Sequence, residues 1–448
     1  MSVTIQQQPT TPGIVNSDLL FVLTSDKTSE AQMQYVCDIK DNSGTLIQRI
    51  KQQPNPSAKA VFNTGQIMTS YFNNTDQIFT TDVVAPNTGS GLNFQVAFGE
   101  EYGSSPSSSV VLYNGISATP GVPAKTGSTD YFNLYGTLNQ LEMTNWNWNS
   151  SSKYNEEDAS DDVTFTYQNG LTIYDVNSVY SNDYHTISFL NGNVSDAPSS
   201  TLAQNVFAVT CKQYDSTGSL ISSSVIYNES IYNDASTELW IDVYTSQSQD
   251  TRLVHFPAGP QNWSDAGLPI SSSCDYYTLT FNQQATNGSV LSTGIWGEYT
   301  FNIGDCTGFT PQRFAWKNTY GVWDYFNFTK ANNRVSNIDR KEYTQTFVDY
   351  STTTNSVSYD QQRRGRVNHY NDVTKIRVAN TDWLNQTEAD NLREMFFSAD
   401  VFIQDETNTF IPVVITTANI TERTNDLAQK MFQYQVTYEH AVGQYSRQ

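Results

Sequence analysis

Charged residues are scarce in this chain, at 15 % of 448, and histidine and cysteine each occur only four times. No apolar run approaches the ~20 residues of a membrane-spanning helix, so no membrane span is expected. Cys37, Cys211, Cys274 and Cys306 lie far apart and lack zinc-ligand spacing, which leaves buried free thiols as their reading. The histidines, His185, His255, His369 and His440, are isolated from one another and from the cysteines. Metal motifs such as HExxH, CxxC and the calcium-binding loop are missing, as are phosphate-binding and dinucleotide-binding glycine loops. Neither a metal nor a cofactor is expected. The opening MSVTIQQQPTTPG lacks the basic start and apolar stretch of a secretory signal.

Aromatics and acid are what the chain has in quantity. Aromatic residues reach 13 %, with 27 tyrosines, and the net charge is −21. Residues 1–300 hold nine Lys and Arg against 28 Asp and Glu, whereas 301–448 hold 15 against 17. So acidic a body repels nucleic acid and anionic membranes. The one basic cluster, QQRRGR at 361–366, reads as an exposed loop or subunit contact.

Period-two alternation recurs. Leu92, Phe94, Val96 and Phe98 form one such run, and Leu239/Ile241/Val243, Tyr277/Leu279/Phe281, Tyr299/Phe301/Ile303 and Phe432/Tyr434/Val436/Tyr438 repeat it. Each predicts a half-buried strand. DNSG at 41–44, DSTG at 215–218 and TNGS at 286–289 are turn signals between them. The expected fold is mainly β, with tandem antiparallel β-sandwiches followed by an α+β C-terminal domain. Its parts are an N-terminal arm over 1–15, a sandwich over 16–116, a linker and irregular region over 117–200 beginning with SATPGVPAKTGS, a second sandwich over 201–307, and the last domain over 308–448. The sandwiches share no sequence repeat strong enough to claim a duplication. NQTEADNLREMFFSAD at 385–400 predicts a helix, with Asn385 and Glu388 as a capping box and Ala389, Leu392, Met395, Phe396 and Ala399 as its apolar stripe.

RFAWKNTYGVWDYFNF at 313–328 surrounds a single carboxylate, Asp324, with seven aromatics. Such a stretch suits a sugar platform, an acid in an apolar pocket, or the wall of a β core. A glycosidase pair drawn from Asp324, Glu298 and Asp242 stays open at this point, because pairing is spatial. The loop NEEDASDD at 155–162 has the oxygens for Ca²⁺ but reads as a solvated acidic loop. GDCTG at 304–308 imitates a nucleophile elbow, yet Pro311 blocks the helix that motif requires.

Four stretches carry a resemblance. SDLLFVLTS with MQYVCDIKDNSGTLIQRIKQQPNPSAKAVFNTGQIMTSYF near the N-terminus, HTISFLNGNV at 185–194, RFAWKNTYGVWDYFNFTK, and DWLNQTEADNLREMFFSADVFIQ with FIPVVITT and FQYQVTYEHA resemble large virion structural proteins of tailed, crAss-like phages of Bacteroidetes-type hosts. The resemblance implies a tail, tail-tip or neck component located in the virion. It further implies a homo-oligomeric ring, contacts with other tail or neck proteins, and no catalysis. A glycan- or receptor-binding module, using Trp146, Trp148 and Trp323, is the alternative, and a polysaccharide-degrading enzyme the third choice. In the first reading Trp316, Trp323, Asp324, Phe326, Phe328, Trp383, Leu392 and Phe396 are structural or interface residues. Asp324 would then hold turn N–H groups or pair with Arg313.

Overall fold

A computed structural model describes residues 3–9, 13–41, 43–72, 79–80, 84–86, 89–103, 111–114, 130–138, 143, 176–190, 208–227, 253–284, 290–304, 308–346, 348–359, 362, 365–420 and 431–441. The chain is mainly β and divides into two compact units. Unit 1 comprises Met1–Asp305 and Trp316–Phe326, and unit 2 comprises Cys306–Ala315 and Asn327–Gln448.

Unit 1 contains two series of elements. The first runs β1 (Val3–Gln7), β2 (Gly13–Ile14), β3 (Leu20–Ser25), β4 (Gln34–Lys40), β5 (Leu46–Gln52), β6 (Lys59–Asn63), a helical turn at Gly65–Thr69, β7 (Ala85–Pro86), β8 (Gly91–Glu101), β9 (Val111–Asn114) and β10 (Asp130–Leu134). The second runs β11 (Val176–Val179), β12 (Thr186–Leu190), β13 (Ala208–Tyr214), β14 (Leu220–Tyr227), β15 (Leu253–Pro257), a helical turn at Pro260–Asp265, β16 (Tyr276–Gln284) and β17 (Val290–Ile303). One sheet has the order β2-β10-β8-β4-β5 and another β11-β17-β16-β13-β14. In both, the first pair is parallel and every later pair antiparallel. β3 pairs with β6 and β12 with β15, both antiparallel, and β6 and β15 each lead into the helical turn. The residues expected as an N-terminal arm instead join these sheets, β1 beside β3 and β2 beside β10.

The match extends to side chains. Cys37 and Cys211, Asp41 and Asp215, Gly44 and Gly218, Leu46 and Leu220, and Ile47 and Ile221 occupy equivalent places in the β4–β5 and β13–β14 hairpins, at one constant sequence spacing. Gly65 and Gly259 open the two helical turns, and a Cβ there would lie 2.4 Å from Ser17 O and from His185 N respectively. Each series has its own core, except that Val84, just ahead of β7, lies in the second core and β7 itself pairs with β15. Phe21, Tyr35, Cys37, Phe94 and Phe98 lie in one, and Ile187, Cys211, Phe256, Tyr277 and Phe301 in the other. The alternation expected at 92–98, 277–281 and 299–303 thus supplies the inward faces, although Leu92 and Ile303 are only half-buried.

The hairpins turn by one device. Asp41 Oδ1 accepts Thr45 N–H at 2.8 Å, Asp215 Oδ1 accepts the N–H groups of Thr217 and Ser219 at 2.9 Å, and Asp405 Oδ1 does so for Thr407 and Thr409 at 2.9 and 2.8 Å. The residue that must turn left-handed is Gly44 (φ 83°), Gly218 (φ 79°) or Asn408 (φ 61°), residue types that tolerate that region. A short polar side chain and a permissive backbone therefore close each turn without help from the core. Between strands, Arg49 grips the buried Asp38 with two bonds, Nε–Oδ1 at 2.6 Å and Nη2–Oδ2 at 2.8 Å.

Among the described residues, unit 2 joins the helix Gln386–Phe397 to a sheet of order β19-β18-β24-β25-β26-β23-β20. Its strands are β18 (Gln312–Lys317), β19 (Trp323–Phe328), β20 (Asn333–Thr344), β23 (Arg366–Asn380), β24 (Val401–Gln404), β25 (Phe410–Ile415) and β26 (Gln435–His440), with a small hairpin of β21 (Val348–Ser351) and β22 (Ser356–Tyr359) between β20 and β23. β18 and β19 add their outer ends, to Ala315 and from Asn327, to this unit. There Phe314 packs on Phe328 and Tyr438 at centroid distances of 4.8 and 5.1 Å.

Candidate functional site

The aromatic stretch is the strand pair β18 and β19, closed by a turn. Residues Trp316–Phe326 belong to unit 1. Asn318 Oδ1 accepts the N–H groups of Tyr320 and Val322 at 3.0 and 3.3 Å, and its Nδ2 donates to Asp324 Oδ2 at 2.9 Å. Asn318 thus holds two N–H groups of the turn, and Asp324 accepts from Asn318 in turn. Gly321 takes φ +80°, and a Cβ on it would sit 1.9 Å from Tyr135 O. Only glycine fits there.

Around this turn unit 1 buries a polar cluster. The Lys317 ammonium lies over the rings of Tyr135 and Trp323, 5.3 and 5.4 Å from their centroids. Phe79 meets Trp323 edge-on at 4.6 Å, and Tyr325 OH lies 2.8 Å from Thr186 Oγ1. Ser188 Oγ and His255 Nδ1 are 2.6 Å apart. Burial first, and Lys317 second, hold the His255 imidazole down to about 3, so it is neutral at pH 7. The distance suits a nucleophile and its base. Both residues are buried, at 0 % and 1 % exposure.

Along β19 the alternation puts Trp323, Tyr325 and Asn327 on one face and Asp324, Phe326 and Phe328 on the other. All but the half-buried Phe326 are buried, so both faces are interior. Trp316 and Trp323 are 0 % and 1 % exposed, so neither ring offers a face to a sugar. Glu298 is exposed. Asp242, Trp146, Trp148, the loop 155–162, the linker 117–128, Cys306 and the run 239–243 lie outside the described residues. Cys37, Cys211 and Cys274 are buried free thiols, and burial pushes the Cys211 thiol up to about 12. Among the described residues no three His, Cys, Asp or Glu side chains are grouped to hold a metal ion, and no helix is long and apolar enough to cross a membrane.

In unit 2 the capping box is present: Glu388 N–H donates to Asn385 Oδ1 at 2.9 Å, and Asn385 N–H to Glu388 Oε2 at 2.8 Å. Ala389, Leu392 and Met395 are buried, and Phe396 meets Tyr434 edge-on at 5.7 Å. Ala399 departs from the expected stripe. The helix stops at Phe397, leaving Ala399 exposed beyond it. Trp383, just ahead of the helix, is 52 % exposed.

Residue order gave little sign of a long exposed strand in unit 2. β20 pairs with β23 along twelve residues, and every residue of β20 is exposed. Val335, Ile338 and Tyr343 on it, and Tyr350, Val357 and Tyr359 on the small hairpin, are exposed apolar side chains. Only the basic cluster hinted at this segment, and of it Arg366 lies on β23, ion-paired with Glu342. No protein-family model matches the chain, and a search of characterised proteins finds no match.

Proposed function

We propose that this chain is a structural protein of a phage virion that assembles into a ring or tube of the tail, tail tip or neck. The observation that carries the reading is the β20–β23 ribbon. Beyond the part of β23 that pairs with β26 the two strands form a ribbon of their own. Two-stranded ribbons are marginally stable alone in water, and β20 exposes the apolar Val335, Ile338 and Tyr343 along this one. Such a segment suits a subunit whose surface is completed by assembly. The sequence resemblance points the same way.

The architecture also fits a building block. We infer that unit 1 is a tandem pair of β-sandwiches related by duplication, and that unit 2 is an α+β domain. In each series of unit 1 the order is that of an immunoglobulin-type sandwich, with a hairpin added to the sheet that holds the last two strands. Repeated sandwiches supply rigid spacing, and the buried groups around Asp324 and His255 serve to fasten it.

The test is the oligomeric state of the purified full chain, by analytical ultracentrifugation and electron microscopy. Closed rings or higher assemblies with rotational symmetry are expected at low salt. A chain that stays monomeric at every concentration and salt overturns the reading.

A further inference from the structure

The register of the ribbon sorts its charges. Cross-strand partners share a face, so Arg334, Ser336, Ile338 and Arg340 of β20 lie beside Arg377, Lys375, Val373 and Asn371 of β23. Up to the register shift after Lys341, that face carries four basic side chains and no acid. The opposite face, with Asn337, Asp339 and Lys341 beside Thr374, Asp372 and Tyr370, carries two acids and one lysine. The root of the basic face is partly balanced, since Glu406 pairs with Arg334 at 2.8 Å. Further out, Arg340 and Lys375 are exposed beside the exposed Ile338. His440, on the neighbouring β26, is held below the usual histidine range by burial first, then by Arg377, Lys375 and Arg334, with Asp405 opposing them.

The remainder of the chain is of the opposite sign. Residues 333–380 hold eight Lys and Arg against five Asp and Glu, while all other residues hold sixteen against forty. In unit 1, Asp18, Asp26, Glu30, Asp265, Asp275 and Glu298 are exposed.

We infer that the Arg340- and Lys375-bearing face of the ribbon docks on the acidic unit 1 of a second copy of this chain. The inference rests on the assembly reading and adds which face makes the contact and what chemistry it meets. Charge complementarity selects the partner. A face of one sign meeting a surface of the other on an identical subunit is a heterologous contact, which generates rings when the rotation closes. A two-fold contact of ribbon on ribbon would set the four cations against their own copies, which is unfavourable. Ile338 and Val373, central on the face, give the contact an apolar middle with a charged surround, the usual anatomy of an interface. Strong self-repulsion between acidic bodies would keep free subunits apart until ribbon and body are correctly oriented.

The experiment compares three forms of the full chain by sedimentation velocity across concentration, at low salt and at about 1 M salt, where the Debye length is about 3 Å. They are the wild type, the double variant Arg340→Gln/Lys375→Gln, and the control Asn337→Glu/Lys341→Gln, which makes the same charge change on the other face. Thermal melts verify that all three are folded. The wild type should associate at low salt and weaken at high salt. The first variant should weaken association about tenfold or more, and the control less than about threefold. Equal weakening by both variants overturns the face assignment. Assembly that neither variant disturbs overturns the docking proposal and leaves the assembly reading standing, whereas a wild type monomeric throughout overturns both. A gel-shift with random-sequence duplex DNA completes the design: DNA binding lost in Arg340→Gln/Lys375→Gln, with self-association unchanged, would make nucleic acid the occupant and sink the proposal.

Discussion

Two strand pairs follow each other in this chain and meet opposite surroundings. β18 and β19 are buried on both faces, with only Phe326 half-exposed among their residues. β20, five residues later, is exposed at all twelve. The difference lies in how each pair meets its polar groups. The buried pair fills both faces with aromatics, and its polar side chains, Asn318, Asp324 and Tyr325, are bonded at 2.8–3.3 Å. The exposed pair relies on cross-strand ladder bonds and short-range ion pairs such as Lys341–Asp339 at 2.8 Å. Pairs like that contribute little in water. Identical secondary structure is thus held by core packing in one case and mainly by the cross-strand ladder in the other.

The sharpest break of this contrast is at the buried turn. Gly321→Ala forces a side chain into a left-handed backbone and onto a carbonyl oxygen, and Trp323→Ala empties a fully buried site. The glycine change should cost more than about 4 kcal/mol and the tryptophan change about 3–5 kcal/mol, read by urea denaturation. A loss below about 1 kcal/mol for Trp323→Ala would show that the site is not core. The helix of unit 2 extends the comparison to a single element. Leu392→Ala should cost about 2–5 kcal/mol, and Arg393→Ala, on the half-buried side, within about 0.5 kcal/mol. Similar melts for the two would mean that the helix face is misassigned.

Much of this was legible in residue order, for local reasons. Asn385 and Glu388 announce the helix start because a capping box is a contact between near neighbours. The end was harder: Ala399 continues the apolar spacing, but the chain must leave the helix at Ser398 to enter β24, so spacing alone overshoots. The turns at Asp41 and Asp215 were visible because their chemistry lies within five residues. The equivalence of the two series was hidden, since it resides in strand pairing and a few hairpin residues while the cores differ in sequence. The exposure of β20 was hidden for the same reason. Val335, Ile338 and Tyr343 look like core candidates, yet in the fold they are 46–49 % exposed.

Acid should weaken the buried region selectively. His255 is neutral in the fold down to about 3, whereas in the unfolded chain it titrates near 6.5. Its folded value is depressed, so the unfolded chain binds the proton first. The associated stability is present above about pH 6.5 and is lost as pH falls toward 3, at about 1.4 kcal/mol per unit. His255→Gln keeps a side chain able to hydrogen-bond with Ser188 and removes the titration. Its unfolding free energy should fall less steeply between pH 6 and 4 than that of the wild type, by about 1 kcal/mol per unit. Parallel slopes would show that the histidine is not held neutral by the fold.

The smallest effect is expected at the ribbon, and its smallness is the point. Ile338→Ser removes an apolar side chain that is 48 % exposed and lies across from Val373. In dilute monomer the change should leave the melting temperature within about 2 °C, because a surface substitution away from caps and cores stays within about 0.5 kcal/mol. Under assembling conditions the same change removes the apolar middle of the proposed contact, so the two measurements separate. A serine that destabilises the monomer by more than about 1 kcal/mol would mean that Ile338 is packed within its own chain. The ribbon would then be held by tertiary contacts like its buried neighbour, and the contrast between the two strand pairs would collapse. A serine neutral in the monomer and costly in the assembly would leave the contrast standing and put the missing packing on another molecule.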